Sequence, residues 1–205
     1  MPGMSSRKRW SRWPKAFDFS SFNNAPLVLP WHSGPTGNHL AELPRGVQTL
    51  GGSAFDVRGL VQVVLGKTSL NLQERYPSRV KGIPIGRNLN RLQILHSIQG
   101  ARQPVGTRVG HYLVHFANGR REEIPILYGR DARDWHEHPD APADATEAVI
   151  AWKGGNPATK EAGTRGIRLF KRTWVNPAPD VVIARLDFVA EHAMTTPFLV
   201  ALTAE

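Results

Sequence analysis

The chain has 205 residues, 40% of them hydrophobic and 21% charged, with a formal net charge of +9; this is the composition of a globular domain and excludes a fibrous or wholly disordered protein. No apolar run reaches the ~18 residues of a membrane helix, and the absence of cysteine removes disulfides, thiol catalysis and thiolate zinc sites. With 19 glycines and 16 prolines, the chain is punctuated for many short strands rather than long helices.

Arg7, Lys8, Arg9, Arg12 and Lys15 crowd the first fifteen residues, where no acid accompanies them. Residues 1–15 therefore read as a basic, disordered N-terminal arm ahead of a single domain over 16–205. Trp10 and Trp13 interleave the basic side chains, so the arm is the one route by which nucleic acid or an anionic surface is expected to bind. No apolar stretch follows it as a secretory signal requires, and the expected address is the cytoplasm.

Residues 17–20 have the pattern of a short strand. A polar stretch then runs to Asn38, a long loop anchored by Phe22, Leu27-Val28-Leu29 and Trp31. Apolar runs over 47–50, 54–57 and 60–65, cut by Gly51-Gly52 and Gly59, predict strands. Residues 91–98 alternate, with Leu92, Ile94, His96 and Ile98 on one face and Leu95 as the exception. Asn118-Gly119, between 109–117 and 120–127, predicts a hairpin with a two-residue type I′ turn. That turn sets Ala117 opposite Arg120, His115 opposite Glu122 and Leu113 opposite Ile124. Strands follow over 148–153, 166–175, 181–191 and 198–203. Along the third of these, Val182, Ala184, Leu186, Phe188 and Ala190 make one apolar face, as in a sheet packed on one side. Helix is confined to a turn or two at 130–135 and 70–75. About ten short strands with turn signals between them predict an all-β fold, an antiparallel β-sandwich or barrel.

A set of segments in fixed order carries a family likeness. It opens with Leu43-Pro44-Arg45-Gly46-Val47, Phe55-Asp56-Val57-Arg58-Gly59-Leu60, Tyr76-Pro77 and Val80-Lys81-Gly82-Ile83-Pro84-Ile85-Gly86-Arg87. It continues through Leu92-Gln93-Ile94-Leu95-His96, Ile124-Pro125-Ile126-Leu127-Tyr128-Gly129, Asp131 and Arg133-Asp134-Trp135. Ala151-Trp152, Asn156-Pro157 and Thr173-Trp174-Val175-Asn176-Pro177 complete it. Over residues 17–205 the chain resembles a bacterial accessory domain found attached to glycoside hydrolases, FecR-like anti-sigma proteins and kinase-like proteins. The resemblance implies a galactose-binding-like jelly roll with a non-catalytic, carbohydrate-recognising role. The family has no established active-site set, so no residue role is carried over. This chain departs from it in the basic arm and in His136-Glu137-His138, where an aromatic continuation is usual.

Enzyme signatures fail one by one. Gly66-Lys67-Thr68-Ser69 mimics the end of a phosphate loop, but Val61 stands where that loop needs glycine. No Gly-x-Ser-x-Gly elbow and no His-Glu-x-x-His occurs. His111 and His115 share a strand face ~13–14 Å apart, too far to hold one metal; His115 is expected beside Glu122. His96, on an apolar face, is expected to be a hydrogen-bonded core histidine. Residues 131–140 hold the densest set of potential ligands. No cofactor is expected there, the alternative being a structural calcium on the Asp oxygens, ahead of zinc on His136 and His138. Asp131 and Asp134 are expected to brace the loop by pairing with Arg130, Arg133 or Arg87.

A sugar-binding surface needs flat aromatic faces beside directional hydrogen-bonding groups. Arg168, Phe170, Arg172 and Trp174 fall on one face of a strand, an alternation that also suits single-stranded nucleic acid. The expectation is a binding module with no catalytic residues, its partner a glycan or cell-surface polysaccharide held by loops at one end of a sandwich. Trp135 or Trp174 would stack on the sugar, and Asp131, Asp134, Asn176 and Arg87 would hydrogen-bond its hydroxyls. The alternative is an interaction or structural module that contacts a protein partner through the same rim.

Overall fold

The computed structural model describes residues 16–31, 36–66 and 75–205. The basic arm, the segment after Gly66 and the helical turn expected at 70–75 lie outside the described residues. Two antiparallel sheets pack as a sandwich. One has four strands in the order β4 (Arg79–Arg87), β10 (Ile183–Ala190), β6 (Arg108–Phe116), β7 (Arg121–Leu127). The other has five, in the order β3 (Val61–Gln62), β11 (Thr195–Ala204), β5 (Arg91–Gly100), β9 (Ile167–Val175), β8 (Ala148–Gly154). Between them lies a core of alternate residues from both sheets, including Ile83, Ile94, Tyr112, Val114, Phe170, Leu186, Phe188 and Leu202.

The central strands β11 and β5 of the five-stranded sheet are buried on both faces. Against the sheet's outer face packs a third layer made of the hairpin β1 (Gly46–Leu50) and β2 (Ser53–Val57) together with the preceding loop. Trp31, Leu40, Phe55 and Leu60 from that layer meet Leu95, Leu169, Phe198 and Val200 from the sheet in a second core. Leu95 breaks the expected one-sided alternation for this reason, and every residue of β11 is buried. A strand buried on both faces has no polar side to display. Among the described residues, no helix is long and apolar enough to cross a membrane.

Four local expectations are corrected. The Asn118-Gly119 hairpin pairs His115 with Arg121 and Leu113 with Glu123, one residue out of the expected register. The loop spans three residues: Gly119 N–H donates to Phe116 O at 3.0 Å and Phe116 N–H to Arg120 O at 2.9 Å, with Gly119 at φ 88°. A left-handed glycine after a tight turn adds one bulged residue to the loop. In β10, a bulge between Ile183 and Arg185 turns Ile183 inward and leaves Val182 exposed. Residues 17–20 form no strand, although Phe17 and Phe19 are buried and Ala16 bridges Thr203. Residues 130–135 form a turn and isolated bridges rather than a helix. The one α-helix among the described residues, α1 (Pro157–Glu161), starts at an Asn156 cap whose side chain accepts from Thr159 N–H at 3.0 Å.

Candidate functional site

The pairing of β5 with β9 ends at His96↔Phe170, and beyond it the two strands separate. Residues 134–137 fill the gap as a wedge. Trp135 N–H donates to Ile98 O at 2.8 Å, Arg168 N–H to Trp135 O at 2.8 Å and Glu137 N–H to Gly166 O at 2.9 Å. Side chains of an extended segment alternate between faces. Trp135 accordingly enters the second core, while Asp134 and His136 line a cleft at this end of the sandwich.

The cleft has a volume of about 350 Å³. Its polar lining comes from Tyr128, Arg133, Asp134, His136, His138 and Arg168, with Arg102 and Asp140 at the rim. Asp134 Oδ1 accepts the His136 backbone N–H at 3.0 Å, and its Oδ2 lies 3.5 Å from His138 Nε2. Hydrogen bonding to that carboxylate raises the His138 pKa above the ordinary imidazole value, whereas burial lowers that of His136. His136 Nε2 lies 2.9 Å from Asn38 Oδ1, which also accepts from Asn156 Nδ2 at 3.2 Å. Asn38 brings the third layer into the wall of the site.

Two arginines form the floor. Arg168 is 1% exposed; its Nε donates to Asp134 O at 3.2 Å and its Nη1 to Ala143 O at 2.6 Å. Arg133 is 8% exposed, donates from Nε to Asp144 O at 2.7 Å and lies over the Tyr128 ring at 5.9 Å. Burial pulls the Arg168 pKa below the usual guanidinium range. At the rim, Arg102 and Asp140 pair at 3.0 Å, both well exposed.

Of the six residues expected to touch a ligand, only Asp134 lines this cleft. Trp135 offers no free ring face for stacking. It is 1% exposed, with the Trp31 ring at 5.0 Å and the Phe198 ring at 5.9 Å. Asp131 is buried, accepting Leu127 N–H at 2.8 Å and meeting Arg172 Nε at 2.6 Å. It does brace the loop, but through Arg172 rather than Arg130, Arg133 or Arg87. Desolvation raises its pKa, against the lowering pull of the Leu127 N–H and Arg172. Asp134 pairs with His138 rather than with an arginine side chain.

Trp174, Asn176 and Arg87 belong to the opposite end of the sandwich, six residues along β9 from Arg168, or ~20 Å at a strand's rise. Trp174 packs half-buried against the main core. Asn176 is buried as a turn brace: its Nδ2 donates to Leu89 O at 2.8 Å and its Oδ1 accepts Ala178 N–H at 2.9 Å. The Arg87 guanidinium lies over the Phe17 ring at 4.8 Å. The face bearing Arg168, Phe170, Arg172 and Trp174 is the inner face of its sheet, since Phe170 and Trp174 contact the main core. It is closed to nucleic-acid bases.

Among the described residues, no three His, Asp or Glu side chains converge to hold a metal ion. His115 meets Asp187 at 3.0 Å instead of Glu122, and His111 meets Glu191 at 3.2 Å. His96 is a core histidine as expected, its ring nitrogens 3.1 Å from Tyr112 Oη and 3.1 Å from Asp131 O. Sequence reasoning gave Arg133 a bracing role and set Arg168 on a face suited to nucleic acid, and it missed both as lining of this cleft. The available signal was Arg168 itself, a lone charge inside the apolar run from Ile167 to Phe170. The antiparallel β-sandwich is thus the class that the structure defines. No family model, curated protein or solved structure matches the chain.

Proposed function

We propose that this protein is a non-catalytic binding module, a galactose-binding-like jelly roll, that recognises carbohydrate in the cleft built around the 134–137 wedge. The observation that carries the reading is the cleft itself. Its volume of about 350 Å³ falls in the ~300–1,000 Å³ range of small-ligand sites. Guanidinium and imidazole donors stand there beside carboxylate acceptors, the combination that sugar hydroxyls require. Hydrogen bonds, rather than a stacked tryptophan, would supply the specificity. Tyr128 is the only aromatic hydrocarbon ring in the lining.

A binding role also fits the charges. A glycosidase pair needs one carboxyl with a raised pKa to act as acid. Asp140 is instead held below its usual range by a hydrogen bond from Arg102, and the Asp134 carboxylate is occupied by His136 N–H and His138. The test is a glycan array probed with the whole chain, followed by Asp134→Asn and His138→Gln. Saccharide capture that falls at least about tenfold in these variants, as loss of a charged hydrogen bond predicts, with the melting temperature unchanged, supports the reading. Capture unaffected by both variants, or no capture on the array, refutes it.

A further inference from the structure

We infer that the saccharide taken by this cleft is acidic, carrying a carboxylate or sulfate group, and that Arg133 and Arg168 receive that group. The inference rests on the carbohydrate reading above and adds the ligand's charge to it. Among the described residues, neither guanidinium has a carboxylate within the 4.0 Å of an ion pair; beyond the carbonyl bonds, Arg133 lies over the Tyr128 ring and Arg168 over the Phe170 ring at 5.4 Å. Arginines elsewhere in the same fold find acids. Arg172 meets Asp131 at 2.6 Å and Glu147 at 3.2 Å, and Arg108 meets Glu123 at 2.7 Å.

Burying a charge without a counter-ion is costly, so such groups are normally paired. Two carboxylates act on Arg168 from beyond ion-pair distance: Glu137 pairs with Lys153 at 2.8 Å, and Asp134 turns to His136 and His138 and offers Arg168 only its main-chain carbonyl. Carbonyl oxygens fix the planes of both guanidinium groups but put no carboxylate in contact with either charge. Arg133 spends Nε on Asp144 O, and Arg168 spends Nε and Nη1. The remaining Nη donors have no protein acceptor, and none of them is both sealed from solvent and unpartnered. They are the donors that reach the cleft.

A guanidinium with free Nη groups receives an oxyanion through parallel N–H bonds, a geometry that hydroxyls do not reproduce. With Asp140 committed to Arg102 and Asp134 to His138, the uncompensated charge in the cleft is positive. A neutral sugar would dehydrate both cations without neutralising either. An acidic one neutralises them and leaves His136, His138 and Asp134 for the hydroxyls of the same ring.

Titration calorimetry on the full chain tests this with matched pairs: galacturonate against galactose, glucuronate against glucose, and a sulfated N-acetylgalactosamine against its parent. Sodium acetate and sodium sulfate serve as bare-anion controls. Each acidic sugar is expected to bind about 10- to 100-fold tighter than its neutral twin, the value of a charged hydrogen-bonded pair. The carboxylate and sulfate arms separate the two sources of charge. Arg133→Gln should erase the preference. Because Arg133 is buried, Asp140→Asn provides an independent variant: this exposed change releases Arg102 and should raise the acidic-over-neutral affinity ratio severalfold. Equal affinity within each pair overturns the inference and leaves the carbohydrate reading standing. Acetate or sulfate binding as tightly as the acidic sugars overturns it by making the sugar irrelevant, and absence of all binding overturns both readings.

Discussion

Trp135→Ala separates a scaffold role from a ligand platform. The indole is 1% exposed and sits where three elements meet, with Trp31 from the third layer at 5.0 Å, Phe198 of β11 at 5.9 Å and the His136 ring at 4.8 Å. Removing a buried tryptophan to Ala costs about 3–5 kcal/mol, the lost transfer free energy plus the cavity left behind. The Trp31–Trp135 and Trp135–Phe198 contacts place this residue near the upper end, because aromatic pairs add about 0.5–1.5 kcal/mol each beyond area. In a domain of this size each kcal/mol lowers the melting temperature by roughly 2–4 °C, so a loss near 5 kcal/mol should lower it by about 10–20 °C. Denaturant unfolding followed by tryptophan fluorescence and circular dichroism measures it. Trp135→Phe, which keeps most of the volume, should recover more than half of the loss. An alanine variant with wild-type stability and abolished saccharide binding would refute the burial argument and return Trp135 to the surface.

Three further outcomes are open to measurement. Burial lowers the His96 pKa to about 4 from an ordinary 6.5, so below the ordinary value the unfolded chain takes a proton that the folded chain refuses. Stability is full above the unfolded pKa and declines as pH falls toward 4, by at most about 3 kcal/mol. Urea midpoints of wild type minus His96→Gln across that window isolate this contribution from His136, which acts in the same direction, and His138, which acts oppositely. Asn176→Ala removes the brace between Leu89, Asn176 and Ala178 and should cost about 1–2 kcal/mol without altering saccharide affinity; a change in affinity alone would restore Asn176 as a ligand contact. Gly110→Ala drives a Cβ into Val189 O of the neighbouring strand. The β6–β10 ladder must then part, at about 1–3 kcal/mol, and an unchanged melting temperature would show that the two strands are not packed this closely.

The strands legible in the sequence were those whose two sides meet different surroundings. β10 carries polar residues outward and its alternation located it, while the Asn118-Gly119 turn located β6 and β7. β5 and β9 were located as well, but their second buried face was misjudged, because Leu95 and Leu169 read as breaks or as an outer side. Apolar residues on both faces were the mark of the third layer. β4 escaped notice because Gly82 and Gly86, at φ 83° and 64°, and Pro84 interrupt any period-two pattern. α1 escaped notice as well, because its five residues are too few to show a helical period. The site was harder to read for a physical reason. Whether a tryptophan shields a core or faces a ligand depends on what lies across from it, and Trp31, which closes over Trp135, is 104 residues distant in sequence.

The same arrangement bears on how the cleft would bind. Asp134 and His136 flank Trp135 in one extended segment, so neither backbone can shift without drawing the indole out of the second core. Arg133 and Arg168 are held by carbonyls of the 134–144 loop, and Asn38 fixes His136 from the third layer. The inner wall is therefore set before any ligand arrives, which reduces the ordering cost of association. Freedom remains at the rim, where Arg102 and Asp140 form an exposed pair that water and salt screen. An oxyanion approaching the floor competes with Asp140 for Arg102, and releasing so weak a pair costs little. Ligand-induced change should thus be confined to the Arg102–Asp140 rim while the wedge backbone stays in place, because the third layer stabilises the wedge on which the cleft is built.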